Sequence, residues 1–166
     1  MKEIPLTRGY VALVDDEDYE RVMAAGPWYA HAEGLDRKYV YATRKDKKTR
    51  RCVHMHRFIL QVEDGGFLVD HISRNTLDNT KKNLRKCSVS QNRQNSRIVG
   101  RKDSGYKGVF RAKPTHSWQA RIAAKGKVKW LGSFPSAEDA AKAYDAAARE
   151  LHGSFAVLNF PMEVAQ

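Results

Sequence analysis

The stretch "SWQARIAAKGKVKWLGSFPSAEDAAKAYDAAARELHG" (117–153) changes its secondary-structure period midway. Its first half holds two β-prone runs, 117–124 and 127–134, separated by the turn pair Lys125–Gly126. Its second half is helical. Ser136 is the N-cap, Asp139 sits at the third helical position where it can close a capping box, and Gly153 is the natural stop. Alanines recur along one face of 137–152, so this helix can lie close against a sheet. Working outward, "KGVFRA" (107–112) supplies a third strand through the turn "KPTH" (113–116), and the tail "VLNF" (157–160) can close over the core. The expected unit is a three-stranded antiparallel sheet packed on one helix, spanning 105–162.

Upstream, "RIVGRKDSGY" (97–106) is basic, contains glycine and is poor in core residues, which places a linker at 98–104. Residues 1–97 then form a domain of their own. "YVALV" (10–14) reads as a strand, and the acidic run Asp15–Asp18 suits the start of a helix through "YERVMAAG". "WYAHA" (28–32) and "YVYATR" (39–44) are β-prone, with "KDKKTR" (45–50) as a polar loop and "CVHMHRFIL" (52–60) after it. "DGG" (64–66) is a turn before the strand "FLVDHI" (67–72). Residues 73–86 have few apolar positions and read as a long ordered loop. Ser88 and Gln91 form an S-x-x-Q box that opens a short helix. The fold class expected overall is α+β.

The chain has 166 residues and a formal net charge of +11. Residues 1–70 balance 12 basic against 12 acidic side chains, whereas 71–129 hold 16 basic residues against Asp78 and Asp103 alone. Tyr106, Phe110, Trp118 and Trp130 are interleaved with those bases, a pattern that fits nucleic acid better than a solvated basic face. No apolar run reaches the roughly 18 residues of a membrane span, no basic amphipathic helix can be drawn, and the N-terminus lacks a secretory stretch. Two cysteines, Cys52 and Cys87, make no disulfide framework. The expectation is a cytoplasmic, non-secreted monomer that binds double-stranded DNA and no membrane.

The chemistry concentrates in "VDHISRNTLDNTKKNLRKCSVSQNRQN" (69–95), where Asp70 adjoins His71 and Asn83 and Asn92 follow. Phosphodiester hydrolysis needs an activated water, a Lewis acid for the leaving oxygen and help for the pentacoordinate phosphate. A neutral histidine suits the first task and a hard oxygen ligand suits magnesium. Adjacent strand residues point to opposite faces, so Asp70 and His71 share a site only where the strand ends or bulges.

On Val69, Asp70, His71, Asn75, Asp78, Asn79, Asn83, Leu84, Arg85 and Asn92, the stretch resembles the HNH homing-type endonucleases of phages and mobile introns. The resemblance covers roughly 55–95 and implies a ββα-metal nuclease core. It makes His71 the general base, Asp70 and Asn92 the ligands of a single Mg²⁺ (or Mn²⁺), and Asn83 the residue that holds the loop and orients His71. The host it implies is a bacterial or phage-infected cell. Residues 105–160 are similar to the plant ethylene-response-factor (Apetala-two type) DNA-binding domain, through "YKGV", "WLGSF", "AEDAAKAYDAAA" and "LNF". That resemblance implies DNA contacts from Lys107, Arg111, Trp118, Arg121, Lys129 and Trp130. Phe110, Ala112 and Ala123 stand where plant members are often basic, so the plant target sequence is not carried over.

Other readings compete locally. Cys52, His54 and His56 alternate along one presumptive strand face, and a structural zinc on them is the alternative to packing. The first and last would lie about 13 Å apart on a strand, too far to share one ion, so packing with His56 near the site is preferred. Trp28 and Tyr29 read as core, Trp118 and Trp130 as divided between core and DNA, and His116 and His152 as surface. The functional expectation is a divalent-metal-dependent endonuclease cutting or nicking double-stranded DNA. The alternative is a DNA-binding regulator with an inactive nuclease half.

Overall fold

A computed structural model describes residues 1–34, 39–62, 66–95, 104–112 and 116–161, which divide into two units, Met1–Ser88 and Val89–Gln166. Most of the turn expected at 64–66, the linker 98–103 and the turn residues 113–115 lie outside the described residues. Both units mix helices with antiparallel sheet, as the α+β expectation has it.

In the first unit, β1 (Lys2–Pro5) pairs with β2 (Val11–Val14), and α1 (Asp16–Ala24) begins within the acidic run. β3 (Tyr29–Glu33), β4 (Tyr39–Lys45) and β5 (Cys52–His54) form one antiparallel sheet in that order. Trp28 is buried and donates its indole N–H to Val22 O at 2.9 Å, whereas Tyr29 is 43% exposed. Tyr29 is therefore not core, because alternation turns neighbouring strand residues to opposite faces.

The chain then departs from the expected strand geometry. After His54 it turns into α2 (Met55–Ile59), so His56 is helical and does not share a strand face with Cys52 and His54. Two tertiary features explain this. Met55 and Ile59, one helical turn apart, are both buried in the core. Arg21 of α1 donates to the carbonyls of Phe58 and Ile59 at 3.1 Å each, satisfying acceptors that a short helix leaves open.

β6 (Leu68–His71) pairs antiparallel with β7 (Leu84–Cys87), so the last part of the expected 73–86 loop is a strand. Its sequence, "LRKC", shows only Leu84 and Cys87 as buried ends around an exposed Lys86, too short a pattern to announce itself. Leu84 anchors the hairpin in the same core as Ile4, Val14, Val22, Trp28 and Met55.

The short helix opened by Ser88 is α3 (Val89–Asn95), and it falls in the second unit, whereas the expected boundary kept it within 1–97. β8 (Val109–Arg111), β9 (Trp118–Ala124) and β10 (Lys127–Phe134) form the three-stranded sheet in the order β8-β9-β10, with a register shift between Trp130 and Gly132. α4 (Ala137–His152) packs on it through Ala140, Ala141, Tyr144 and Ala148. Ser136 caps α4 by accepting from Asp139 N at 3.1 Å, while its hydroxyl donates to Asp139 Oδ2 at 2.7 Å.

Close helix–sheet packing sets one glycine. Gly108 has φ +75°, and a Cβ there would lie 2.1 Å from Tyr144 Cδ2 and 2.7 Å from Arg121 O. The tail locks the same corner. Asp145, buried on α4, accepts from the backbone N–H of Asn159 and of Phe160 at 2.8 Å each. Asn159 in turn accepts from Lys107 N at 2.6 Å and donates to Lys107 O at 3.1 Å. His152, expected at the surface, is buried and donates from Nε2 to Ala123 O at 2.9 Å. Its place one turn after Ala148 on the helix's inner face is what buries it.

Candidate functional site

His71 is the last residue of β6, where the ladder ends, and only 5% of it is exposed. Its Nε2 lies 3.4 Å from Asn79 Oδ1. Asn79 donates from Nδ2 to Leu77 O at 3.1 Å, which fixes the end of the amide that faces the ring. A carbonyl oxygen only accepts, so the neutral ring carries its proton on Nε2 and keeps Nδ1 as its basic nitrogen. Burial holds His71 below the usual histidine range, with the Asn79 bond and the Asp70 and Asp78 carboxylates opposing it. Near neutral pH the ring is therefore an uncharged base.

Other rings flank it. His56 lies 5.0 Å away centroid to centroid and Tyr41 6.1 Å away, and His54 contacts both Tyr41 and His56. Burial, then the neighbouring His71 and His54, push His56 down to about 3, so it packs as a neutral ring. His54 Nε2 meets Glu33 Oε1 at 2.8 Å, and Cys52 is exposed. Among the described residues no group of three His, Cys, Asp or Glu side chains is placed to hold a metal, so zinc on Cys52, His54 and His56 has no geometric basis.

Asn83 makes hydrogen bonds across the loop between β6 and β7. Its Oδ1 accepts from Ser73 N at 2.8 Å, and its Nδ2 donates to Asp78 O at 2.7 Å and Asn75 O at 3.4 Å. Ile72 N also donates to Asn83 O at 2.8 Å, fastening the residue after His71. The direct partner of the His71 ring, however, is Asn79, which the sequence pattern marks as a fixed position without a role. Asn79 is 1% exposed.

The N-terminal strands brace this loop from outside. Leu13 N donates to Leu77 O and Asn79 N to Leu13 O, both at 2.8 Å. Thr76 Oγ1 donates to Val40 O at 2.6 Å, and Asp15 Oδ2 accepts from Lys81 N at 2.7 Å. The acidic run thus starts α1 and ties down the loop, with Lys81 also paired to Glu17 and Asp18.

Asp70 lies opposite Arg85 in the ladder, and the Arg85 guanidinium reaches Asp70 Oδ2 with Nε at 2.8 Å and Nη2 at 2.7 Å. Regular pairing turns Asp70 and His71 to opposite sides of β6. Asn92 is exposed on α3, within the second unit.

In the second unit the register sorts the expected DNA contacts by face. Phe110, Gln119, Arg121 and Trp130 share the side away from α4, with Trp130 63% exposed and the Arg121 guanidinium stacked 4.7 Å over Phe110. Val109, Ala120 and Ile122 fill the α4 side. Trp118 lies on that side too and packs against the core, so it does not belong to the open face. Arg111 and Lys129, cross-strand partners of Trp118 and Ile122, fall by register on the α4 side, but both are exposed at the edge strands, and Arg111 stacks on Trp118 at 5.8 Å. Lys107 is half-buried, its backbone held by Asn159. Phe110 and Gln119, absent from the expected set, complete the open face. No helix among the described residues is long and apolar enough to cross a membrane.

Comparison with known proteins finds two kinds of relative. The chain is 45% identical over 78 residues to the ethylene-responsive transcription factor ERF084 of Arabidopsis thaliana, covering 42% of this chain and 30% of that protein. It is 40% identical over 86 residues to the AP2-like ethylene-responsive transcription factor ANT of the same plant, covering 51% and 16%. It is 34% identical over 112 residues to the uncharacterized HNH endonuclease L560 of Acanthamoeba polyphaga mimivirus, covering 64% and 57%. The chain thus spans less than two thirds of each relative's length, and the pattern is consistent with a fusion of two kinds of protein. No protein-family model matches it.

Proposed function

We propose that this chain is a divalent-metal-dependent DNA endonuclease of the HNH type, with the 105–162 module supplying affinity for double-stranded DNA. The observation that carries the reading is the buried His71 at the end of β6, its ring set by Asn79 and its loop held by Asn83. The viral relative's name and the transcription-factor relatives point the same way.

His71 takes the proton of the attacking water at Nδ1, because Nε2–H is committed to Asn79 Oδ1. Burial keeps the ring neutral and ready to accept it. Asp70 and Asn92 would hold Mg²⁺ or Mn²⁺. Two hard oxygen ligands suit a cation that keeps several of its waters, and for Asp70 to serve, its carboxylate must be shared between the ion and Arg85 and reach around the end of β6 to the His71 side. The ion supplies Lewis acidity to the leaving oxygen of the phosphodiester. Arg85 fixes the Asp70 carboxylate through Oδ2. On the second unit, Arg121, Trp130, Phe110 and Gln119 present an amphipathic face to the major groove, with Arg111 and Lys129 at its edges.

The Asp70–Arg85 ion pair is also the observation that favours the second reading, a DNA-binding regulator whose nuclease half is inactive, because it gives the carboxylate a structural partner. Relaxation of supercoiled plasmid in Mg²⁺, Mn²⁺ or EDTA separates the two. Metal-dependent nicking that is lost in His71→Ala supports the nuclease. Salt-sensitive DNA binding without nicking, repeated on host-genome DNA, supports the regulator. Asp70→Ala is expected to weaken metal binding in calorimetry, and an unchanged affinity removes its ligand role.

A further inference from the structure

Residues 1–70 are electrically balanced, yet five of their twelve basic side chains fall in one short stretch. Residues 45–51, "KDKKTRR", carry Lys45, Lys47, Lys48, Arg50 and Arg51 against Asp46 alone. They form the tip of the β4–β5 hairpin, and all five basic side chains are exposed. Asp46 is turned into the turn itself: its Oδ1 accepts from Lys48 N at 3.1 Å, Thr49 N at 2.7 Å and Thr49 Oγ1 at 2.9 Å. The tip therefore exposes its cations while its single carboxylate is taken up by the turn itself and, through Oδ2 at 4.0 Å, by Arg44.

Beside the tip lies a cleft of about 660 Å³, lined in part by Tyr29, His31, Lys45, Lys47, Arg50 and Cys52. The ladder places its wall with respect to His71. Tyr29 pairs with Thr43 and Thr43 with His54, while His31 pairs with Tyr41 and Lys45 with Cys52. Cross-strand partners share a face, so Tyr41, Thr43, Lys45, Tyr29, His31 and His54 all lie on one side of the sheet. Tyr41 and His54 on that side belong to the ring cluster around His71. Four residues of strand separate Tyr41 from Lys45, or about 13 Å. One DNA strand advances about 3.4 Å per nucleotide along the helix axis, so this is the span of about four nucleotides.

We propose that the β4–β5 hairpin tip and its cleft are a second DNA-binding surface, which grips the sugar–phosphate backbone about four nucleotides from the bond cut at His71. The distance from the cut rests on the nuclease reading; the surface itself does not. Exposed lysines and arginines on a rigid hairpin supply sequence-independent phosphate contacts, while Tyr29 and His31 offer ring faces to the sugars beside them. The surface gives the nuclease unit a hold on the duplex of its own, separate from the sheet face of the second unit.

The test uses a thiol already in place. Cys52 lines the cleft and is exposed, whereas Cys87 is buried and its thiol is pushed up by that burial, so a maleimide reads Cys52 in the full-length chain. The probe is a mixed-sequence duplex at low salt in EDTA, with saturation verified by gel shift. Alkylation of Cys52 is expected to slow about tenfold or more on the duplex, as phosphates cover the cleft. In Lys47→Glu/Arg50→Glu, with its thermal unfolding checked as unchanged, that protection is expected to vanish while the duplex remains bound. A Cys52 rate unaffected by saturating duplex overturns the proposal, as does stronger protection by single-stranded RNA of the same sequence.

A photo-crosslinker on Cys52 then maps the position, with crosslinks expected about four nucleotides from the nick. Protection without nicking in Mg²⁺ leaves the surface standing and sinks the nuclease reading. Nicking without protection does the reverse.

Discussion

The two units solve opposite problems with the same few residue types. In the first, polar groups go inside. His71, Asn79, Thr80 and Asn83 are buried on or beside one loop: backbone groups satisfy the Asn79 and Asn83 amides, Asn79 Oδ1 meets the His71 ring, and Asp78 Oδ1 accepts from the Thr80 hydroxyl. In the second, the core is mostly alanine, valine, isoleucine and tyrosine, and the polar groups expected to act lie on an exposed sheet face. Even its buried Asp145 serves, with the half-buried Asn159, to fasten the tail over the sheet. A reaction centre must be desolvated and oriented, so it consumes buried hydrogen bonds. A groove-binding face works by exposure, and its fold needs only close packing behind it.

That contrast can be broken most directly at His71. His71→Ala is expected to lower metal-dependent nicking about a thousandfold, the range of a lost general base, with DNA affinity within about twofold. A parallel loss of affinity in gel shifts would mean that the buried centre and the binding face are not separate devices.

Gly108→Ala is the strongest structural challenge to the second unit. It forces a Cβ onto Tyr144 and into a positive φ, and is expected to cost about 3 kcal/mol in denaturant unfolding. Hydrogen exchange in the full chain should show that loss in β8, β9 and α4 and leave β6 and β7 unchanged.

Asn83→Ala is the matching challenge to the first unit. It leaves the amide of Ser73 and the carbonyl of Asp78 without their side-chain partner, at about 2 kcal/mol. Protection of the 72–83 amides should fall while β8–β10 keep theirs. Equal losses in both units would show that the two are coupled.

The smallest effect is in pH. The unfolded chain protonates His56 near pH 6.5, while the folded chain declines the proton until about pH 3. The stability associated with the neutral ring is therefore present at pH 7 and declines as pH falls through that window. The first unit should melt earlier at pH 5 than at pH 7.5, and His56→Leu should flatten the difference. A pH dependence unchanged in His56→Leu would assign it to other groups.

Much of this was legible in the chain. Ser136, Asp139 and Gly153 bounded α4, Lys125–Gly126 set the β9–β10 turn, and Ser88 marked the start of α3, because caps and tight turns are written in single residues. Asn83 was marked only through the family pattern, which assigns it the loop and the orientation of His71. What escaped was whatever depended on a distant partner. The helix at Met55–Ile59 forms because Arg21 and the core receive it, and β7 is a strand because β6 lies beside it. Asn79 could have been singled out only by knowing which ring it faces.

By itself, the sequence determined the element order of the sheet-and-helix module and the concentration of positive charge beyond residue 70, and it singled out His71, Asp70, Asn83 and Asn92 as candidates. These are local or additive properties that a chain carries before it folds. Only the tertiary structure decided that Asp70 pairs with Arg85, that Asn79 sets the His71 ring, that Trp118 belongs to the core and Trp130 to the open face, and that the basic hairpin tip shares a sheet face with the ring cluster. All but the Asn79 contact, which the β6–β7 loop sets, follow from strand register, because a shift of one residue would turn those side chains to the other side.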